Sequence, residues 1–142
     1  MINLNLSGKR AVVTGASLGI GAAIVKMLAE HGAQVEFCAR SANAVNVLTA
    51  HDNVIGHTAD MGDQKSTEEF IRRVLDSGPI DILINNVGAS PSRNFLYMSD
   101  DDWRDLHELN LLSAVRCTRA FLPGMREKKS GRVVMISSSA GK

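Results

Sequence analysis

Arg10-Ala-Val-Val-Thr14 runs directly into Gly15-Ala-Ser-Leu-Gly19-Ile-Gly21, and the stretch from Gly19 to His31 then places Ile20, Ala23, Ile24, Met27 and Leu28 at three- and four-residue spacing. The first piece is short, apolar and β-branched, which is how a strand buried on both faces reads. The last is an amphipathic helix, closed by Gly32 where a left-handed cap residue is wanted. Between them lies a glycine-rich turn at the carboxyl end of a strand and the amino end of a helix. Gly15 permits a tight turn, Gly19 lets backbone approach a pyrophosphate, and Gly21 allows close helix-to-strand packing. The helix N-terminus offers unpaired N–H groups and about half a positive charge to such a phosphate. The spacing is G-x-x-x-G-x-G, not G-x-G-x-x-G, and no Gly-Lys-Ser/Thr follows, so a nucleoside triphosphate loop is not supported. The alternative is a glycine-rich turn that holds no ligand.

Working outward, Gln34–Cys38 reads as a second strand, Ser41–Ala50 as a second helix and Val54–Thr58 as a weaker third strand. Ser66–Asp76 is a helix with Phe70, Ile71, Val74 and Leu75 on one side, and Ser77-Gly78-Pro79 ends it. Ile80–Ile84 is a fourth strand and Arg132–Ile136 a fifth. Ser99 with Asp102 resembles a capping box that opens one long helix to Met125. Strand and helix alternating in this way predict an α/β fold, a doubly wound parallel sheet of Rossmann-like type with ligands at the carboxyl ends of its strands.

The chain has 142 residues, which suits one domain. Sixteen Lys and Arg against fifteen Asp and Glu leave a charge of +1, so no bulk field argues for nucleic acid or an anionic membrane surface. No apolar run reaches the length of a membrane span, and no charged-then-apolar leader opens the chain. Two cysteines, Cys38 and Cys117, are too few for a disulfide framework and suit a reducing cytoplasm. His31, His51, His57 and His107 share no metal-ligand spacing, so no metal is expected. Arg126, Lys128, Lys129 and Arg132 read as a solvated basic turn, since no aromatic residue interleaves them.

Thr14-Gly15-Ala-Ser17-Leu18-Gly19-Ile20-Gly21 is similar to the cofactor motif of the short-chain dehydrogenase/reductase family, and further motifs follow in the family's order. Asn85-Asn86-Val87-Gly88 resembles its Asn-Asn-Ala-Gly, with Val for Ala. Asp60-Met61 resembles its adenine-holding acidic-apolar pair, Asn110 its catalytic asparagine, and Gly131–Gly141 its fifth strand and catalytic serine, by register Ser138, with the flanking Ser137 and Ser139 as weaker candidates. The resemblance implies a nicotinamide dinucleotide held by Gly15, Ser17, Leu18, Gly19, Ile20, Gly21, Asp60, Met61, Asn86 and Gly88. Each residue also has a plainer reading. Asp60 could cap a helix ahead of Ser66, Asn86 and Gly88 could form a plain turn, Asn110 could be a satisfied buried amide, and Ser138 could simply end a strand.

At the end of the second strand, Cys38-Ala39-Arg40-Ser41 puts Ala at the family's acidic position and Arg next to it. Arg40 can fork onto a 2′-phosphate and Ser41 can add a hydroxyl, whereas Glu36 lies two residues too early to grip a ribose. NADP is therefore expected over NAD. The alternative leaves Arg40 as a solvated loop residue.

The family's Tyr-x-x-x-Lys pair has no counterpart. Tyr97 is the one tyrosine, it precedes Ser138, and Lys142 is the last residue. The chain as given is therefore expected to be inactive by the family's mechanism. Arg132–Ile136 would also be left as an open apolar edge, so the chain reads as a piece truncated after the fifth strand, residues 1–142 forming a single dinucleotide-binding domain. The resemblance implies a small carbonyl or alcohol substrate and a homodimer or homotetramer at full length. Its contact would use Leu111, Leu112, Val115 and Phe121. A dinucleotide-binding module without turnover is the alternative function. A sugar-nucleotide epimerase or dehydratase is weaker, because that group spaces its glycines G-x-x-G-x-x-G.

Overall fold

A computed structural model describes residues 4–49, 51–91 and 94–138. Its elements are β1 (Arg10–Val13), α1 (Gly19–Glu30), β2 (Gln34–Ala39), α2 (Ala42–Leu48), β3 (Val54–Thr58), α3 (Gln64–Asp76), β4 (Ile82–Asn85), α4 (Asp100–His107), α5 (Ser113–Glu127) and β5 (Arg132–Met135). The strands form one sheet in the order β3-β2-β1-β4-β5, every pair parallel. The chain runs outward through β2 and β3, then crosses back to β4. The strand order thus reverses between β1 and β4, where a doubly wound sheet opens a crevice.

Side-chain alternation divides the core into two layers. Ala11, Val13, Val35, Phe37, Ala39 and Ile84 face α1 and α2 with Val25 and Ala29. Val12, Cys38 and Leu83 face α3 and α5 with Phe70, Val74, Cys117 and Phe121. Burial pushes both thiols up to about 12, so Cys38 and Cys117 act as small apolar groups. Phe121 therefore serves the chain's own core and is not free for the intersubunit contact that the resemblance implied. Among the described residues, no helix is long and apolar enough to cross a membrane. No group of three His, Cys, Asp or Glu gathers as a metal site among them either.

The expected strands and helices form with shifted boundaries, except that one expected helix is divided; Ala50, expected to end the second helix, and residues 139–141 of the expected serine motif lie outside the described residues. α3 begins two residues before Ser66, because the Asp63 carboxylate accepts the Ser66 N–H at 2.7 Å and caps the helix. Ser41 lies outside α2 as its cap, its Oγ accepting the Ala44 N–H at 3.2 Å. The expected helix from Ser99 to Met125 opens on the capping box foreseen at Ser99 and Asp102, but it is not continuous. A π-helical turn, Glu108–Leu112, separates α4 from α5. The Ser113 N–H reaches back to the Glu108 carbonyl, and the Ser113 hydroxyl donates to the Leu109 carbonyl at 2.6 Å. Such an inserted residue rotates the side chains that follow it and often marks a functional position.

One buried ionic cluster ties the sheet to α3. Glu36, 6% exposed, accepts a hydrogen bond from the Arg10 guanidinium and pairs with His57 Nε2 at 2.8 Å, so β1, β2 and β3 each contribute one group. Arg10 also donates to the Val74 carbonyl at 3.2 Å, the Pro79 carbonyl at 3.1 Å and the Gly78 carbonyl, closing the end of α3. Burial alone would raise the Glu36 carboxyl. The His57 and Arg10 hydrogen bonds, reinforced by the two charges, outweigh it and hold the carboxyl below its ordinary 4.5.

A lowered folded-state value contributes stability that is present above pH 4.5 and lost as pH falls through that lowered value. Urea unfolding followed down the acid limb should show this loss, and Glu36→Gln should flatten that part of it. Glu36→Ala strands Arg10 beside His57 and should cost about 3 kcal/mol near neutral pH.

Candidate dinucleotide groove and active site

The site grows from the adjoining ends of β1 and β4. Thr14, 2% exposed, accepts the Asn86 and Val87 N–H groups on its Oγ1 at 3.1 and 3.3 Å. The Asn86 amide returns hydrogen bonds to the Thr14 and Gly15 carbonyls at 3.1 and 2.8 Å. Gly15 turns away from β1 at φ +69°, and a Cβ there would stand 2.8 Å from Val87 Cγ2. A Cβ at Gly21 would stand 2.5 Å from both Asn86 Nδ2 and the Gly15 carbonyl oxygen. Both positions therefore require glycine, for a positive φ in one case and for close approach in both.

The loop delivers the chain to α1, whose N-cap Leu18 has extended backbone and makes no side-chain cap hydrogen bond. No acidic residue lies in the first turn. The leading N–H groups of a twelve-residue helix are thus left without a side-chain acceptor, and a Cβ at Gly19 would meet nothing within 4 Å. Open space before an uncapped helix start suits a phosphate.

A groove of about 320 Å³ runs from this point across the ends of β2, β3 and β4. Of the residues expected from sequence to hold a cofactor, Gly15, Ser17, Leu18, Ile20, Gly21, Arg40, Asp60, Met61, Asn86 and Gly88 line it together. Gly19 and Ser41 do not line it. Asp60 is not the cap of α3, a role taken by Asp63; its carboxylate accepts the Gly62 N–H at 2.9 Å. Met61 is 3% exposed and belongs to the core as well as to the groove wall.

A second cavity of about 530 Å³ shares Ile20, Asn86, Val87 and Gly88 with the groove and adds Asn110, Ser137 and Ser138. The two candidate catalytic residues are therefore brought to one wall. Asn110 sits in the π turn and is exposed. It accepts the Ala89 N–H at 2.7 Å and donates to the Ala89 carbonyl at 2.9 Å, which clamps the segment leaving β4. Thr14 and Ala89 were not singled out from sequence. A hydroxyl ending a buried strand signals the first, whereas Ala89 takes part through backbone alone and leaves no side-chain signal.

The geometry predicts that Gly21→Ala forces α1 away from Asn86 and costs about 1–3 kcal/mol, read as a fall in Tm. Asn110→Ala should leave Tm within a few degrees, at about 1 kcal/mol, and should speed hydrogen exchange at the Ala89 amide.

The family model described as short chain dehydrogenase matches residues 9–142. An uncharacterized oxidoreductase of Bacillus subtilis, YvrD, is 37% identical over 144 residues, covering 99% of this chain and 55% of that protein. The 3-oxoacyl-(acyl-carrier-protein) reductase FabG of Vibrio cholerae is 38% identical over 141 residues, covering 97% of this chain and 58% of that protein. Among solved structures, a metagenomic short-chain oxidoreductase in complex with NADP superposes with a TM-score of 0.89 at 36% identity, covering 97% of this chain and 66% of that one. A short-chain dehydrogenase from Streptomyces avermitilis gives 0.86 at 37% identity, covering 93% and 50%. The chain thus spans a little over half the length of the curated relatives it matches. With the glycine loop, the parallel sheet and these matches in agreement, the chain belongs to the short-chain dehydrogenase/reductase family.

Proposed function

We propose that residues 1–142 are a single dinucleotide-binding domain of an NADP(H)-dependent oxidoreductase that interconverts a carbonyl and an alcohol. The observation that carries this reading is the convergence of the uncapped α1 N-terminus, Arg40, Asp60 and Asn86 on one groove. In this reading the N–H groups opening α1, with Gly15, Ser17, Gly19 and Gly21 around them, hold the pyrophosphate, and Leu18 and Ile20 cover it. Asp60 accepts from the adenine amine beside Met61, and Asn86 and Gly88 carry the far ribose. The nicotinamide, when bound, supplies or accepts the hydride. Ser138 donates to the substrate oxygen where charge develops, and Asn110 keeps Ala89 and the cavity wall in place.

Arg40 is exposed at the groove's edge, while Ala39 before it is 2% exposed. This supports NADP: a guanidinium beside a small residue suits a 2′-phosphate, and no carboxylate ends β2 to grip a 2′-hydroxyl. Ser41 caps α2 with its oxygen and retains its hydroxyl proton as a donor. The reacting oxygen also needs a proton. We assign that step to a Tyr-x-x-x-Lys pair of the complete protein, because Tyr97 lies in an exposed turn, Phe95–Tyr97, outside both cavities. The complete protein is read as a cytoplasmic homodimer or homotetramer acting on a small molecule.

The described lining of the second cavity holds no acid–base side chain, which favours a second reading, a binding module without turnover. Incubation with NADPH and a panel of carbonyl compounds separates the two: binding without cofactor oxidation by the complete gene product supports the module. Titration of this chain should give tighter binding of NADPH than NADH, and tighter NADH binding overturns the NADP assignment. Arg40→Ala should weaken NADPH by about tenfold or more, the worth of one charged hydrogen bond, and leave NADH nearly unchanged.

A further inference from the structure

The π turn sits between two α-helices, and one pair of side chains spans it. Glu108 opens the turn, and Arg116 lies eight residues later in α5. The Arg116 guanidinium donates to both Glu108 carboxylate oxygens, from Nη1 to Oε2 at 2.6 Å and from Nη2 to Oε1 at 3.2 Å. Nη2 also donates to Gln64 Oε1, at the start of α3, at 3.4 Å. The Arg116 side chain is 11% exposed and that of Glu108 is 34% exposed. The Arg116 hydrogen bonds hold the Glu108 carboxyl below its ordinary 4.5, so the pair is charged near neutral pH. A fully exposed ion pair contributes little to stability. A two-pronged pair on a mostly buried guanidinium contributes geometry, because both N–H···O bonds must close at once.

That geometry depends on the inserted residue. Along a regular α-helix eight residues turn through about 800°, which leaves side chains i and i+8 about 80° apart around the axis. One inserted residue makes the same interval equal to seven helical steps, about 700°, within about 20° of two full turns. Arg116 thereby comes into line beneath Glu108. A long helical side chain leans towards the N-terminus of its helix, here back across the turn. The fork therefore closes in the π register and would be pulled apart in a continuous helix. Inside the span, the Ser113 hydroxyl donates to the Leu109 carbonyl at 2.6 Å, and the Asn110 amide bonds both the N–H and the carbonyl of Ala89.

We propose that the Glu108–Arg116 ion pair is the register lock of the π turn, and that both are positioning residues for the reaction. By holding the inserted residue in place they aim Asn110 at Ala89, and so fix the wall that the second cavity shares with Ser138. Neither residue lines the groove or that cavity, so they act through Asn110. Gln64 steadies the guanidinium from α3, which leaves Arg116 facing Glu108. The inference rests on the reading of that cavity as the place of carbonyl–alcohol chemistry.

The test measures amide hydrogen exchange in this chain. Glu108→Ala and Arg116→Ala should each speed exchange at the Ala89 amide by about tenfold, the protection given by one hydrogen bond, while β1, β2 and β3 exchange as before. The double variant should be no faster than either single one, since the two side chains act as a unit. Asp101→Ala breaks the exposed Asp101–Arg104 pair of α4, closed at 2.6 Å, and should leave Ala89 unchanged. Glu108 is only half-buried, so Glu108→Ala keeps the fold by circular dichroism and carries the test even where Arg116→Ala does not fold. An Ala89 amide that exchanges as before, a speeding spread evenly over all amides, additive effects in the double variant, or an equal effect of Asp101→Ala overturns the lock. NADPH titration of the unsubstituted chain reports separately on the functional reading. NADPH binding with an unmoved Ala89 amide sinks the lock alone, and a local change at Ala89 without NADPH binding sinks the functional reading alone.

Discussion

Where β1 and β4 end side by side, the Thr14 hydroxyl oxygen takes two N–H groups from the β4 side and the Asn86 amide gives two hydrogen bonds back to the β1 side. Each bond is worth only about 1 kcal/mol, but together they fix the one place in the sheet where strand order reverses. The same amide occupies the space that any Cβ at Gly21 would need, at 2.5 Å. The first turn of α1 is therefore held against Asn86, and the direction of its unpaired N–H groups follows from that contact. A sheet joined differently at this point would still bury its core, but it would not aim a helix N-terminus across the ends of β2 and β3.

The ionic cluster of Arg10, Glu36 and His57 runs across the sheet, from the start of β1 through the middle of β2 to near the end of β3. A buried pair of charges is weak evidence for stability, since an apolar replacement often does as well. Its geometry gives register: three strands and the last carbonyls of α3 must align before the Arg10 donors and the Glu36 oxygens are satisfied. The cluster also bears on the site by exclusion. Both Glu36 oxygens are engaged inside the sheet, so the only carboxylate of β2 does not serve the groove, and β2 ends there with Ala39 followed by Arg40.

β1 and β4 were legible because each is a short apolar run between turn residues, as a parallel strand buried on both faces reads, whereas Glu36 interrupts β2 and Gly56 and His57 weaken β3. The glycine loop was legible because strand, glycines and helix followed at fixed spacing. The π turn was not. Leu109, Leu111 and Leu112 surround Asn110 with apolar residues, so one inserted residue leaves helical periodicity intact while turning the asparagine towards Ala89. Asp60 and Asp63 illustrate the same limit at a helix start. Either could cap α3 by composition, and only the 2.7 Å contact from Asp63 to the Ser66 N–H decides it. The resemblance carried Phe121 outward, towards an intersubunit contact, whereas its packing with Phe70, Val74 and Cys117 buries it in the chain's own core.

Binding and proton transfer make different demands, and the chain meets them unequally. The groove is walled by the ends of β1 to β4, the start of α1 and Leu109 of the π turn, all among the described residues. The second cavity is walled by Asn110, Ser137 and Ser138, groups that can donate or accept hydrogen bonds but do not change charge near neutral pH. A carbonyl oxygen placed among them could be oriented but not given a proton by a titrating group. In the proposed reading, dinucleotide affinity and cofactor discrimination therefore belong to this chain, and the acid–base step belongs to whatever closes the open side beside α5 and β5. Val87 lines both the groove and the second cavity, so the two demands meet at one residue.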